Sequence, residues 1–204
     1  MKYTVDIIGK TVAKQMIENY DYMPSVSAMR YTFGLFHNDK IVGIIGYGGV
    51  TGRQTPQSIV VGMEYSDVLE LKRFWVADKV KLKEKNAFLN ETFDWLRKHS
   101  AAKVLITYAE KDELRYKNIL KKANWLYQGS NIRVGKSFYY KVFGKIYYPR
   151  NANAVFGTTN QNVLKAIDPN FKMYELPKKD RFLYILNQED KAQILPRLKH
   201  PVIG

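Results

Sequence analysis

The sequence predicts an α/β fold in which helices flank one central mixed sheet. Apolar residues form strand-like runs in some segments and recur at helical spacing in others. A strand pattern at 68–78, a helix pattern at 86–99 and a strand pattern at 103–110 make a β-α-β crossover, which implies a parallel strand pair. The chain also carries 33 Lys and Arg against 19 Asp and Glu, a net charge of +14 that favours a polyanionic partner such as nucleic acid.

The segment before the crossover predicts a strand, a helix and a hairpin. Residues 2–8 alternate between polar and apolar side chains as a strand does, and Thr11 is a candidate cap for a short helix that ends at Tyr20. The apolar residues 31–48 are interrupted by HNDK at 37–40, which is a turn signal. This stretch therefore predicts a β-hairpin.

The crossover helix is predicted to follow a Lys-rich loop and to begin at Asn86, whose side chain is a candidate N-cap. A second helix is expected to begin near Asp112, and residues 124–127 predict another strand. From residue 131 the composition becomes Tyr-rich and basic. The predicted organisation is a core domain at residues 1–130, a basic appendage at residues 131–180, and a C-terminal strand and tail at residues 181–204 that complete the core domain.

Composition excludes several kinds of site. The chain has no Cys, so it forms no disulfide and no thiolate metal site. His37, His99 and His200 are scattered and lack the spacing of metal ligands, and no Walker or G-x-S-x-G pattern occurs. The N-terminus has no signal-peptide core, and the longest apolar run is too short to cross a bilayer. We therefore expect a cytoplasmic protein without a membrane partner.

The Lys-rich loop before the crossover helix is a candidate site for the phosphates of a cofactor. Free backbone N–H groups and the helix dipole favour anions at a helix N-terminus. The residues assigned to this site are Lys79, Lys81, Lys83, Lys85 and Asn86. A solvated loop without a ligand fits the same pattern, because charge runs commonly lie in solvent.

Seven runs carry a family resemblance: VLELKRFWVAD from Val68, KEKNAFLNETFDWLRK from Lys83, VLITYAE from Val104, ANWLYQG from Ala123, GKIYYPRNANAVFGTTNQNVLKAI from Gly144, KKDRFLYIL from Lys178 and LKHPVIG from Leu198. In this order they resemble the phage Mom-like DNA-modification proteins, a group with the GNAT acyltransferase fold. The resemblance covers residues 28–204. The sequence departs from the family pattern at Glu110, which replaces an Asp, at Leu114-Arg115, which replace Gly-His, and at Leu120, which replaces a Tyr.

The resemblance implies a sheet whose fourth and fifth strands splay around an acetyl-CoA or related acyl-CoA donor, with iron as a further candidate cofactor. It implies modification of the exocyclic amine of adenine in double-stranded DNA, for example to a carbamoylmethyl derivative. This modification protects phage or prophage DNA against restriction in the host cytoplasm. Two alternatives remain: a CoA-dependent N-acyltransferase acting on a small molecule or a protein amine, and a non-catalytic DNA-binding protein on the same scaffold.

The resemblance and the strand positions give six candidate catalytic residues: Glu70, Arg73, Tyr108, Glu110, Asn124 and Tyr127. Glu70 and Arg73 have opposite parity on their strand and are expected on opposite faces of the sheet. Glu70 is a candidate base toward an attacking amine, or one half of an ion pair with Lys72. Glu110 ends its strand, where α/β active sites lie. Asn124 is a candidate ligand for the substrate amide or nucleobase edge, or the C-cap of a helix.

The basic appendage is the candidate DNA surface. Lys and Arg neutralise phosphates, and interleaved tyrosines stack on or support an extruded base. The residues assigned to this surface are Lys136, Lys141, Lys145, Tyr147, Tyr148, Arg150, Lys178, Lys179 and Arg181.

Overall fold

The structure is a computed structural model that describes residues 3–20, 28–110, 113–130, 138–176 and 178–203, without the side chain of Arg150. The chain divides into two compact units. Unit 1 comprises Met1–Gly129 and Asp180–Gly204, and unit 2 comprises Ser130–Lys179.

The described residues form strands and helices in the following order along the chain. The strands are β1 (Tyr3–Ile7), β2 (Tyr31–His37), β3 (Lys40–Gly49), β4 (Val68–Val76), β5 (Val104–Ala109), β6 (Leu126–Tyr127), β7 (Phe138–Val142), β8 (Lys145–Tyr147), β9 (Lys172–Glu175) and β10 (Asp180–Ile185). The helices are α1 (Lys10–Tyr20), α2 (Leu82–His99), α3 (Leu114–Lys122), α4 (Pro149–Phe156), α5 (Gln161–Ile167) and α6 (Gln188–Ile194).

Unit 1 is built on a seven-stranded sheet with the order β1-β2-β3-β4-β5-β10-β6. Within it β4 and β5 are parallel and are connected through α2, and the other neighbouring strands are antiparallel. Helices α2 and α3 pack on one face through residues such as Phe88 and Leu120, beside Ile45 of β3. Helix α1 packs on the opposite face through Ile17, beside Ile44. The predicted mixed α/β sheet and its crossover are confirmed.

The predicted hairpin is formed by β2 and β3. Asn38 and Asp39 both have positive φ, of 48° and 59°. Two consecutive left-handed residues make the tight turn whose twist matches that of the flanking strands, and Asn and Asp tolerate this conformation best after Gly. The turn determines the pairing of His37 with Lys40 beside it, and a bulge between Leu35 and Phe36 shifts the register further along the hairpin.

The crossover helix begins earlier than predicted. Helix α2 starts at Leu82, and Lys81 occupies the N-cap position without a side-chain hydrogen bond. Lys85 is only 4% exposed and lies three residues before Phe88, which is fully buried in the core. The buried face therefore extends through the Lys-rich segment, and Asn86 lies in the second turn of the helix instead of at its cap.

The parallel strands β4 and β5 are a splayed pair. They are in register only from Val68 to Glu70, opposite Val104 to Ile106. Beyond this point β4 continues along β3, whereas β5 continues along β10. The side chains of β4 change from mostly buried to half-buried at the same place. The two strands thus separate toward their C-terminal ends and open a cleft in the sheet.

Unit 2 contains a three-stranded antiparallel sheet with the order β8-β7-β9. Its core joins Tyr140 and Val142 of β7 to Ala152 of α4 and Leu164 of α5. Asn160 caps α5, because its side-chain oxygen accepts a hydrogen bond of 2.9 Å from the backbone N–H of Asn162. Because α4 and α5 contribute to the same core, both helices pack on the same face of this small sheet.

Candidate active site and nucleic-acid interface

Thr107 of β5 lies at the apex of the cleft between β4 and β5. It is buried in an otherwise apolar strand. Its hydroxyl donates a hydrogen bond of 3.2 Å to the carbonyl of Leu71, the first residue of β4 beyond the paired stretch. Thr107 thus satisfies a backbone group that the separation of the strands leaves without a strand partner.

Tyr116 of α3 brings a phenol to the same apex. Its hydroxyl shares a hydrogen bond of 2.9 Å with Thr107, and its ring packs 5.8 Å from the ring of Phe74 on β4. Leu120, which the resemblance matched to a Tyr of the family, is fully buried in the core. Tyr116 was not among the catalytic residues predicted from the sequence. The available sequence signal was a polar residue, Thr107, inside an apolar strand, followed by a Tyr in the first turn of the next helix.

Glu70 is held by an ion pair on the edge of the paired stretch. Its carboxylate accepts hydrogen bonds from the ammonium of Lys72, at 2.6 Å, and from the backbone N–H of Thr51, at 3.0 Å. The Lys72 side chain is 8% exposed and that of Glu70 is 15% exposed. Of the two alternatives for Glu70, the structure contains the ion pair.

The expectation that Glu70 and Arg73 face opposite sides of the sheet is wrong. Gly46 and Tyr47 of β3 are opposite Arg73 and Leu71, so Lys72 is an extra residue on β4. Such a β-bulge shifts the alternation of side chains by one position. Arg73 consequently lies on the same face as Glu70, and its guanidinium donates a hydrogen bond of 2.7 Å to the carbonyl of Lys72.

Arg181, which was assigned to the DNA surface, is a buried residue of unit 1. It is 1% exposed, and its guanidinium donates hydrogen bonds to the Gln128 side chain at 2.8 Å and to the Ser58 hydroxyl at 2.9 Å. Tyr108, directly opposite on β5, is hydrogen-bonded to it as well. Burial lowers the pKa of Arg181. The assignment was wrong because Arg181 lies on β10, a strand whose two faces are both buried.

Tyr108 lies on the same face of the sheet as Arg181, its partner on β10. Tyr108 packs with Leu183 and Ile106 on the sheet face opposite α2 and α3, whereas Tyr116 packs on the face of those helices. The predicted catalytic Tyr108 and the phenol of Tyr116 therefore belong to different faces of the sheet.

Tyr127 belongs to a polar cluster at the start of β10. Its hydroxyl donates a hydrogen bond of 3.3 Å to the carboxylate of Asp180, which also forms an ion pair with Lys117 of α3. Burial, followed by the charge of Asp180, raises the pKa of Tyr127. Glu110 follows β5 directly, and its backbone N–H donates to the Glu113 carboxylate at 2.7 Å.

Asn124 ends α3 in the left-handed conformation. Its φ is 60°, and the backbone N–H groups of Asn124 and Trp125 donate to the carbonyls of Lys121 and Leu120, both at 3.0 Å. This is the Schellman pattern of helix termination, in which Asn is the common alternative to Gly. The helix C-cap, one of the two roles considered for Asn124, is therefore the one that the structure contains.

Asn124→Gly is expected to leave the free energy of unfolding unchanged or to raise it by up to about 1 kcal/mol, because Gly adopts the left-handed conformation without the Cβ penalty. Urea denaturation measures the change. A loss of stability would show that the Asn124 side chain, and not its backbone conformation, stabilises the structure.

The candidate phosphate site at the start of α2 is only partly formed as predicted. Lys79, Lys81 and Lys83 are exposed, whereas the buried Lys85 has its pKa lowered by desolvation and then by the nearby Arg115. Asn86 faces an open groove of about 490 Å³ between α2 and α3, lined by Leu82, Lys83, Asn86, Ala87, Asn90 and Lys122. The exposed lysines are therefore the members of this set that remain accessible to a phosphate.

Lys85→Met is expected to raise the free energy of unfolding at pH 7. The pKa of Lys85 lies below the usual lysine value of 10.5 in the folded protein, so the unfolded chain binds this proton more tightly. The buried charge of Lys85 therefore destabilises the folded wild-type protein by its full amount at pH values below the folded-state pKa. This destabilisation disappears as the pH rises above 10.5. Urea denaturation at two pH values checks this. If the increase in the free energy of unfolding of Lys85→Met over the wild type does not become smaller toward high pH, burial of the charge is not its cause.

Within the described ranges, no group of three or more His, Asp or Glu residues lies close enough to hold a metal ion. None of the described helices is long and apolar enough to cross a bilayer. The described residues therefore supply no ligand set for the iron that the resemblance implied.

The predicted DNA-contacting residues of unit 2 differ in accessibility. Lys141, Lys145, Lys178 and Lys179 are exposed, and Tyr148, which is 52% exposed, precedes α4 as its N-cap. Tyr147 is instead half-buried, with its ring 5.1 Å from that of Phe156 in the core of the unit. Lys136 and the Arg150 side chain lie outside the described residues.

Solved acetyltransferases have a similar fold. A probable acetyltransferase from Staphylococcus epidermidis aligns with a TM-score of 0.52 at 10% identity, over 91% of this chain and 100% of that chain. NAA60 of Arabidopsis thaliana, in complex with acetyl-CoA, aligns with a TM-score of 0.53 at 8% identity, over 90% and 99% of the two chains. An IAA acetyltransferase from Bacillus cereus aligns with a TM-score of 0.50 at 11% identity, over 90% and 99%. At these identities the likeness establishes the GNAT acetyltransferase fold.

Sequence comparison gives the family. No curated protein matches the chain. The Mom protein family matches it over residues 2–202, which includes the splayed strands of unit 1 and all of unit 2. The chain therefore belongs to the Mom protein family.

Proposed function

We propose that this protein modifies the exocyclic amine of adenine in DNA and draws the added group from an acyl-CoA donor. The observation that carries the proposal is the cleft between β4 and β5, with the Tyr116 phenol at its apex, in a chain of the Mom protein family. An extended donor fits between separated strands, because β4 presents backbone groups there that β5 no longer pairs.

The residues around the cleft have distinct roles in this proposal. A bound acyl-CoA supplies the activated group that is transferred. Lys79, Lys81 and Lys83 bind its phosphates at the start of α2, where the helix dipole adds to their charge. When the amine nitrogen bonds to the acyl carbon of the donor and the carbon–sulfur bond breaks, Tyr116 would give its proton to the sulfur of the departing thiolate. The proton that the amine loses would return to the Tyr116 phenolate, so the phenol is restored. Phe74 packs against the Tyr116 ring and restricts its orientation.

DNA is the proposed acceptor because of the charge of unit 2 and the family. Residues 130–179 contain nine Lys and Arg against two acidic residues, Asp168 and Glu175. Such a segment attracts a polyanion. The adenine amine is paired and stacked inside a duplex, so the reaction requires the base to leave the stack.

A second candidate is a DNA-binding protein without catalytic activity. Two predicted catalytic residues support it, since Glu70 is held in an ion pair and Asn124 terminates a helix. The two candidates differ in whether the cleft binds a donor. In the first, acetyl-CoA at about 100 times its Kd stabilises the fold by about 2.7 kcal/mol, which raises the Tm by roughly 5–10 °C.

The test combines the Tm with and without acetyl-CoA and the affinity for duplex DNA at two salt concentrations. We expect both a Tm shift and DNA binding that weakens with salt. DNA binding without a Tm shift would support the non-catalytic protein. A Tm shift without DNA binding would contradict DNA as the acceptor.

A further inference from the structure

The open face of the unit 2 sheet has the features of a DNA-binding surface. We propose that this face, formed by Tyr139, Lys141, Ile146, Lys172 and Tyr174, contacts the phosphate backbone of double-stranded DNA. The proposal rests on the proposed function, in which DNA is the acceptor. It replaces Tyr147, which is half-buried in the core of the unit, and Arg181, which is buried, as parts of the interface.

The strand pairing determines which side chains form this face. Tyr140 is opposite Tyr147 and Met173, and these three residues pack into the core of the unit with α4 and α5. Lys141, one residue further along β7, is opposite Ile146 on β8 and Lys172 on β9. Because side chains alternate along a strand, these residues lie on the face away from both helices.

Lys141 and Lys172 are two like charges placed directly opposite each other. Their Cβ atoms are therefore roughly 5 Å apart, as for any directly opposed pair in an antiparallel sheet. Both side chains are exposed, and like charges in this position destabilise a sheet. A phosphate bound between the two ammonium groups removes this repulsion, so the arrangement favours a polyanion.

Acidic residues of unit 2 do not offset this charge. Asp168 is 3% exposed, and its carboxylate accepts hydrogen bonds from the backbone N–H groups of Phe143 and Asn170. Glu175 is opposite Phe138, which packs into the core. The Glu175 side chain therefore lies on the core side of the sheet and not on the open face. Among the paired strand positions of this unit, the open face therefore carries only positive charge.

The remaining side chains of the face are large and partly apolar. The rings of Tyr139 and Tyr174 stack at 5.0 Å with an interplanar angle of 13°, and Ile146 is 61% exposed. At the turn between β7 and β8, Phe143 is 63% exposed and has a φ of 49°. Beyond Lys141 only β7 and β8 remain paired, so the turn is a two-stranded antiparallel tip. Such a ribbon fits the major groove of duplex DNA, where apolar side chains contact thymine methyl groups.

The test is the effect of Lys141→Glu and Lys172→Glu on the binding of a fluorescent DNA duplex at about 50 and about 200 mM salt. Each substitution is expected to weaken binding by about tenfold or more at the lower salt and to reduce the slope of log K against log salt by about 1. The Tm of each variant is expected to rise or to stay unchanged, because an opposite-charge pair replaces a like-charge pair.

Lys165→Glu is the matched control, since Lys165 is an exposed residue of α5 on the helix side of the same unit. It changes the net charge equally and is expected to weaken binding only about twofold. A control effect as large as that of Lys172→Glu would overturn the proposal. Tighter binding to the single strand of the same sequence, or equal Lys172-dependent binding to phosphatidylserine vesicles, would also overturn it.

The outcomes separate this proposal from the proposed function. Modified adenine together with DNA binding that is unaffected by Lys141→Glu and Lys172→Glu would refute the open face and leave the function intact. Binding through the open face, together with unmodified adenine in DNA from cells that express the protein, would refute the function and leave the open face intact.

Discussion

Glu70→Gln is expected to lower the free energy of unfolding by about 3 kcal/mol, because it leaves the largely buried ammonium of Lys72 without its counter-charge. The ion pair is short, at 2.6 Å, and lies where β4 leaves β5, and its lysine is the extra residue of the bulge. The Glu70 carboxylate also accepts a hydrogen bond from the Thr51 N–H. Urea denaturation of the wild type and the variant measures the loss.

The double variant Glu70→Gln/Lys72→Met separates the structural role of Glu70 from a chemical one. Removing both charges is expected to recover most of the lost stability, since no buried charge is left alone. If Glu70 only pairs with Lys72, the double variant also modifies DNA at the wild-type level. A stable double variant without activity would show that the Glu70–Lys72 pair takes part in the chemistry as well as in the stability of the fold.

Tyr116→Phe is expected to lower the rate of adenine modification by about 100-fold, because the phenol supplies the proton at the apex of the cleft. The lost hydrogen bond to Thr107 is expected to lower the free energy of unfolding by only about 1 kcal/mol. The rate is measured as the fraction of modified deoxyadenosine in DNA at successive times after induction of the protein.

Tyr184→Phe is the matched control for Tyr116→Phe. It removes another partly buried phenol, which accepts a hydrogen bond of 3.0 Å from Arg97 outside the cleft. It is expected to lower stability to a similar extent without changing the rate. An equal loss of modification in both variants would mean that Tyr116 acts only through the stability of the fold.

The fold was largely predictable because local signals agreed with the global topology. The HNDK turn, with Asn38 and Asp39 in the left-handed conformation, determined the hairpin, and the strand-helix-strand order determined the parallel pair of β4 and β5. The separation of these strands was expected from the resemblance alone. The periodicity of apolar residues in the sequence does not reveal this separation, because a strand that loses one neighbour keeps the same alternation of side chains.

The site was less predictable because it depends on contacts between distant segments. The extra residue Lys72 reverses the parity that placed Glu70 and Arg73 on opposite faces. Arg181 resembles a surface residue in sequence, yet in the interior its guanidinium donates hydrogen bonds to Gln128 and Ser58. A buried cation of this kind is recognised only when its partners are located in three dimensions.

Whether this protein modifies adenine is decided by the mass of deoxyadenosine in DNA from cells that express it. We expect a heavier deoxyadenosine species with the wild-type protein, and its strong reduction with Tyr116→Phe at equal levels of folded protein. Unmodified deoxyadenosine in the presence of soluble wild-type protein, in a host that supplies acyl-CoA donors, would refute the proposed modification.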